Sequence, residues 1–273
     1  MPSNSVAVVV PVYKEMSLDE QISFKQLRMH LKNYDTFLMI PDSFGKTFDG
    51  LPVKTFPAKY FQGTHTYSEL LLSPMFYSAF ADYEYILIYQ LDCLIFSDLL
   101  TEWCRRGYDY IGAPWTVEGQ GGLRFDGVGN GGLSLRKVQS CLRVLALRRS
   151  FLPSLLRSLK RPFTFLRDLL HWGISGVLSI LKGNTSSLLQ KSMHAVSKAA
   201  KSSKDDYRNE DLFWSFEAPR LDPAFRVPPA EIAVSFAIET QPRFCFEKNS
   251  GKLPFGCHNW IRYDRAFWEQ YLR

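Results

Sequence analysis

Four groups of residues carry functional groups at spacings that could do chemistry. Asp92 lies two residues past Gln90, directly after the apolar run Tyr85-Ile86-Leu87-Ile88-Tyr89. A carboxylate just beyond a buried strand can hold a hard divalent cation, Mg²⁺ or Mn²⁺, against a diphosphate; otherwise it caps the next turn. Asn209-Glu210-Asp211 puts two carboxylates at the start of an aromatic helix, Leu212 to Phe216. Either they complement the helix dipole or one of them is a general base that deprotonates a hydroxyl. Adjacent helical residues point about 100° apart, so one of the two faces a pocket. Gly127-Val128-Gly129-Asn130-Gly131-Gly132 is no P-loop, because no Gly-Lys-Ser/Thr follows. Its glycines let the backbone approach a ligand or turn tightly, and Asn130 either bonds a sugar hydroxyl or holds its own loop. His258 is structural unless its loop folds over the rim that carries Asp92, where the imidazole would complete a metal site.

These residues need elements to position them. Val6 to Val10 is a short β-branched run that reads as a strand buried on both faces, as in a parallel sheet. Ser17 and Asp19 are caps for a helix through about Leu31. Strands are expected at Thr36 to Ile40, Val53 to Phe56 and Tyr85 to Tyr89, with helical spacing from Tyr67 to Ala81 despite Pro74. This alternation argues for an α/β sheet, in which ligands bind beyond the carboxyl ends of the strands. Pro11 to Glu15 and Gln90 to Asp92 therefore share one rim. Shorter strands are expected near Tyr108 to Trp115, at Leu133 to Arg136 and at Ile232 to Phe236, with a helix from about Lys137 and a loop from Gly251 to Trp260.

Composition narrows the class. Hydrophobic residues at 46% and charged residues at 22% exclude a disordered, collagen-like or disulfide-scaffold chain. The five cysteines are odd in number and never spaced as CxxC, which argues against a zinc ribbon and for a reducing compartment. The apolar run at Val6 stops at Pro11, too short for a signal peptide, and no stretch of about 18 apolar residues suggests a spanning helix. Net charge is +6, but from Arg143 to Lys204 twelve Lys and Arg face a single acid, Asp168, so the rest of the chain carries −5.

In order along the chain, the segments from Tyr85 to Asp92, Tyr108 to Trp115, Gly129 to Arg136 and Asn209 to Asp211, with the terminal Pro254-Phe255-Gly256-Cys257-His258-Asn259-Trp260, resemble a largely uncharacterised family of GT-A-type glycosyltransferases catalogued as a domain of unknown function. A more distant similarity links the glycine-rich strand and later acidic pair to β-1,4-galactosyltransferases, which invert at the anomeric carbon. The resemblance implies a Rossmann-type central mixed sheet flanked by helices, in a single GT-A-like domain over 1–273. It assigns 1–100 to the nucleotide-sugar-binding half, 101–147 and 205–273 to the acceptor and catalytic half, and 148–204 to a basic helical insertion. Gln90 stands where the family's class usually has the first aspartate of DxD, so Asp92 alone matches the metal-binding position. The implied activity is transfer of a sugar from a nucleotide-sugar to an acceptor hydroxyl, inverting with a retaining reaction as the runner-up, assisted by Mn²⁺ or Mg²⁺, in surface glycan, polysaccharide or glycolipid synthesis. The alternatives are a nucleic-acid-directed sugar transferase and a non-catalytic carbohydrate- or nucleic-acid-binding protein. Asp211, or next Glu210, would be the base. Pro11, Val12, Tyr13, Glu15, Gln90 and Asp92 would hold the donor, and Asp92 with His258 the metal. Trp115, Asn130, Gly131, Gly132 and Trp260 would meet sugar or acceptor.

The basic segment has three readings: attachment to an anionic membrane surface or lipid-linked acceptor, nucleic-acid binding, or a solvated insertion with no partner. Phe163, Phe165, Leu166, Leu169, Leu170 and Trp172 between basic flanks favour the first, since a phosphate-tracking segment needs few such side chains. The corresponding location is cytoplasmic, peripheral on the inner face of the membrane.

Overall fold

Val6 to Val10 has no exposed position and forms β1 (Val6–Pro11), while Tyr85 to Tyr89, equally buried, forms β4 (Tyr85–Tyr89). Continuous apolar runs of this kind sit in the middle of a sheet covered on both faces, where each large aliphatic side chain stabilises by about 1.5–3 kcal/mol. The computed structural model describes residues 5–45, 50–159 and 209–272. With β2 (Asp35–Pro41), β3 (Val53–Phe56), β6 (Tyr110–Ile111) and β9 (Leu133–Lys137), the two runs build a six-stranded sheet in the order β3-β2-β1-β4-β9-β6. β3, β2, β1 and β4 are mutually parallel, and β9 runs antiparallel to both β4 and β6. The fold is therefore α/β with a central mixed sheet flanked by helices.

Helix α1 (Leu18–His30) opens on Ser17, whose hydroxyl accepts from the Glu20 amide while Glu20 accepts from the Ser17 amide, a reciprocal capping box. The stretch from Tyr67 to Ala81 is two helices, α2 (Thr64–Leu71) and α3 (Pro74–Ser78), because Pro74 cannot continue the first and instead starts the second, capped by Ser73. Helix α4 (Leu100–Arg105) and the ribbon of β7 (Pro114–Gly119) with β8 (Gly122–Val128) follow, and β9 runs directly into α5 (Val138–Leu159). One expected strand is overturned. Ile232 to Phe236 belongs to a helix, Ala230–Phe236. It follows an extended Pro229 at the N-cap, whose carbonyl accepts from the Ile232 and Ala233 amides, and its Phe236 packs edge-on against Trp103.

A second, small sheet carries much of the site. In it β10 (Ala237–Ile238) pairs parallel with β11 (Gly256–Cys257), which pairs antiparallel with β5 (Leu94–Ile95). The chain divides into two units, Met1–Leu145 with Asn209–Arg273, and Ala146–Arg208. All of the sheets lie in the first. Of the second, the described part is the continuation of α5 to Leu159. The surface-attachment reading of residues 150–204 rests on side chains that lie outside the described residues. Among the described residues no helix is long and apolar enough to cross a membrane.

Candidate active site

Parallel pairing puts the carboxyl ends of β1 and β4 side by side, with Val9 opposite Ile88. Because β9 is antiparallel to β4 and pairs Leu133 with Tyr89, its amino end reaches the same rim, and the Gln90 amide donates to the Gly132 carbonyl at 2.9 Å. The small sheet adds two more strand ends: Glu239 follows β10, His258 follows β11, and the Trp260 amide donates to the Asp92 carbonyl at 3.2 Å. The result is a cleft of about 890 Å³ at the rim, lined by side chains that lie far apart in sequence.

His258 sits at its base between two carboxylates. Its Nδ1 lies 3.0 Å from Glu239 Oε1; its Nε2 lies 3.3 Å from Asp92 Oδ1 and 3.2 Å from Gln90 Oε1. Burial works against a charged imidazole, but Asp92 and Glu239 outweigh it and push the His258 pKa up to about 9. Burial would likewise raise the Asp92 pKa, and the same imidazolium reverses that, holding its carboxyl below the usual range. Asp92 Oδ1 is buried and receives no well-directed hydrogen bond; the contact to His258 is an ion pair only. Glu239 is held in turn by the Asn130 amide at 2.7 Å and the Asn259 amide at 2.9 Å.

This arrangement fits a divalent cation. A metal-binding imidazole usually gives its other ring N–H to a carboxylate, as His258 Nδ1 can to Glu239; Nε2, which faces Asp92, becomes a ligand when a bound cation displaces its proton. Cys93 is the third potential ligand within 4.8 Å of the other two. Burial holds its thiol protonated, and its Sγ donates to the Gly132 carbonyl at 3.4 Å, so Asp92 and His258 are the usable pair. One carboxylate and one imidazole suit Mn²⁺ or Mg²⁺ with water and phosphate oxygens completing the shell.

The two carboxylates of the acidic pair have separate fates. Glu210 forms a two-pronged ion pair with Arg136, at 2.8 Å from each of the two guanidinium nitrogens. Arg136 is fully buried on β9, gives its Nε proton to Ser134 Oγ and lies over the Tyr110 ring. Both Glu210 oxygens are thus committed. Asp211 points elsewhere, into the cleft, with Oδ1 accepting from the Leu212 amide at 2.8 Å. Desolvation, and after it the charge of Glu210, push its pKa up to about 7. A carboxyl with a pKa near the working pH is suited to general-base catalysis. The next five residues, Phe213–Glu217, form a π-helical turn, a distortion frequent at functional sites.

The glycines are explained by close approach of side chains. A Cβ on Gly131 would collide with Glu210 Oε1, and one on Gly132 with the His258 ring. Gly132→Ala is therefore expected to destabilise by about 1–3 kcal/mol, the cost of overpacking, and to displace His258. Gly121 has open space around its Cβ position, so Gly121→Ala is the matched control, with a change within about 0.5 kcal/mol. Urea denaturation of the two variants checks this; equal midpoints would refute it.

Of the residues singled out in the sequence, the structure brings Pro11, Val12, Tyr13, Gln90, Asp92, Asn130, Gly131, Gly132, Glu210, Asp211 and His258 to one cleft. Three others stand outside its lining. Trp260 is a core residue with no exposed surface, its indole N–H donating to Ser23 Oγ at 2.9 Å, so it does not meet sugar or acceptor. Trp115 stacks on Phe216 along the β7–β8 ribbon, with ring centroids 5.7 Å apart. Glu15 is not part of the lining, although its neighbour Lys14 is. Glu239, Arg262 and Tyr67, not singled out in the sequence, also line the cleft, with Arg136 behind it, and Lys14 lines it within the expected Pro11 to Glu15 rim. Glu239, Arg262 and Tyr67 belong to no recognisable motif, whereas Arg136 closes the Gly129 to Arg136 segment as a charge within the strand Leu133–Lys137.

No curated protein matches the chain. Among solved structures, the apo-form glycosyltransferase GlyE of Streptococcus pneumoniae TIGR4 matches over 98% of this chain at 13% sequence identity and a TM-score of 0.39. The chain spans 60% of the length of that structure. Residues 50–258, from just before β3 to the histidine at the base of the cleft, match the family described as "Protein of unknown function (DUF5672)", and the chain belongs to that family.

Proposed function

We propose that the protein is a glycosyltransferase that moves a sugar from a nucleotide-sugar donor to an acceptor hydroxyl with inversion. The observation that carries this reading is the pairing of Asp211, with its pKa near 7, and the Asp92–His258 pair in one cleft at the carboxyl ends of the strands. An acid-base carboxyl next to a site for a hard cation suits displacement of a diphosphate leaving group by a hydroxyl. Asp92 and His258 would hold Mn²⁺ or Mg²⁺, which supplies charge neutralisation for the departing diphosphate. Glu239 fixes the His258 ring, and Asn130 and Asn259 fix Glu239. Pro11, Val12, Tyr13 and Gln90 border the donor. Asp211 accepts the proton of the acceptor hydroxyl while its oxygen bonds to the anomeric carbon, and the carbon–oxygen bond to the diphosphate breaks with its electron pair leaving on phosphate. The transition state is oxocarbenium-like, as in glycoside hydrolysis.

The test is binding of nucleoside diphosphates and nucleotide-sugars by calorimetry and thermal shift, with and without Mn²⁺. Wild type is expected to bind at least one of UDP and GDP more tightly with Mn²⁺, and Asp92→Ala is expected to lose that dependence. Equal binding by Asp92→Ala in Mn²⁺ would overturn the cation assignment. Sugar binding with neither transfer nor hydrolysis of any nucleotide-sugar would make the protein a carbohydrate-binding module.

A further inference from the structure

The cleft is rich in acids, with Glu20, Asp92, Glu210, Asp211 and Glu239 in its lining, and an anionic donor needs fixed positive charge to enter it. Most of the acid there already has a partner. Arg136 holds Glu210, His258 lies between Asp92 and Glu239, and Lys14 Nζ is 3.3 Å from Glu20 Oε1. Arg262 also lines the cleft, and among the described residues no carboxylate pairs with it. This sets it apart from its neighbours: Arg265 is paired with Asp19 and Glu269, and Arg243 with Asp264. The Arg262 guanidinium is exposed and flanked by the loop's own Tyr263, 5.3 Å from the nearby ring centroid.

The loop that carries it is firmly placed. Asn259 takes a left-handed conformation, φ 54°, and its carbonyl accepts from the Arg262 and Tyr263 amides. The Trp260 indole donates to Ser23 on α1, and Arg265 makes a two-pronged pair with Asp19 in the first turn of α1, at 3.0 and 3.1 Å. These ties lace the loop to the start of α1, and Lys14 lies just before that helix. Arg262 and Lys14 therefore belong to one wall of the cleft, with His258 four residues from Arg262 in the chain.

We infer that Arg262, assisted by Lys14, is the phosphate-recognition edge of the donor site, taking the diphosphate of a nucleoside diphosphate. This rests on the nucleotide-sugar reading above and adds residues to it. A guanidinium presents a planar fork that matches two phosphate oxygens at once, whereas an ammonium offers only a point charge. Lys14 would exchange part of its contact with Glu20 for phosphate.

The experiment is calorimetric titration of the full chain in Mn²⁺ with UDP, GDP, inorganic pyrophosphate and the nucleosides uridine and guanosine. For each phosphate probe that wild type binds, Arg262→Ala is expected to weaken binding by about 10-fold or more and to flatten its dependence on salt, with Arg262→Lys between the two. Nucleoside binding and the thermal midpoint are expected to stay as in wild type, because the side chain is exposed and joins no described ion pair. Unchanged pyrophosphate and nucleoside diphosphate affinities in Arg262→Ala would overturn the inference alone. So would equal weakening of nucleoside and nucleoside diphosphate, which signals a general disturbance. Failure of wild type to bind any phosphate probe would overturn the nucleotide-sugar reading, and this inference with it.

Discussion

Asp211→Asn is expected to lower the rate of sugar transfer by about 10²–10⁴-fold and, in the same molecule, to raise the stability of the fold above pH 7. Both effects come from one carboxyl. The unfolded chain releases the Asp211 proton near pH 3.8, whereas the folded protein holds it until about 7. Between those values the folded state binds more protons than the unfolded state, so this group makes stability fall as pH rises, and above 7 the full cost remains. Each unit is worth about 1.4 kcal/mol, and the side chain keeps some solvent contact, so the cost is on the order of 2–4 kcal/mol. Asn can still accept the Leu212 amide through its Oδ1 and carries no charge to desolvate. The midpoint of thermal unfolding should then exceed that of wild type by several degrees at pH 8 and by little at pH 4. Donor affinity should hardly change. Full transfer activity in the variant would place the base elsewhere, and a stability difference independent of pH would remove the assigned cause.

Glu210→Gln is expected to act with the opposite sign, although it alters the adjacent residue. The change leaves the Arg136 guanidinium, which has no exposed surface, without its counter-charge. Removing one partner of a buried pair costs about 3–5 kcal/mol, mostly the penalty of the stranded charge. Replacing both, Arg136→Met with Glu210→Met, should recover much of that loss, because an apolar pair strands nothing. Denaturant titration of Glu210→Gln and of the double variant measures this. If Glu210→Gln matches wild type, the pair does not hold the segment. The contrast between the neighbours is itself diagnostic: two dipole-capping acids would both lose a little stability on neutralisation, by about 0.3–1 kcal/mol each.

Legibility in the sequence followed burial pattern and chemistry. β1 and β4 were readable nearly to the residue, since interior strands covered on both faces print as unbroken apolar runs. The helix Ala230–Phe236 was misread because seven residues with Ile and Val among them fit either period, and only the preceding prolines decide. Asp92, Asp211 and His258 stood out because their flanks form recognisable motifs. Glu239 did not: a lone acid after a two-residue strand has no pattern, and its role comes from the β10–β11–β5 sheet that sets it beside His258. Trp115 and Trp260 show the limit of residue type. An indole suits a sugar pocket and a core equally, and tertiary packing decides: Trp260 is fully buried, whereas Trp115 is half-buried on the β7–β8 ribbon.

The Arg136–Glu210 pair also bears on how the chain leaves the first unit and returns to it. Arg136 stands just before α5 leaves the first unit, and Glu210 just after the chain returns, 74 residues later. The gap between departure and return is thus closed by a contact inside the first unit. The contact that seats Asp211 is in this sense insulated from the interval Ala146 to Arg208, whose residues take no part in it.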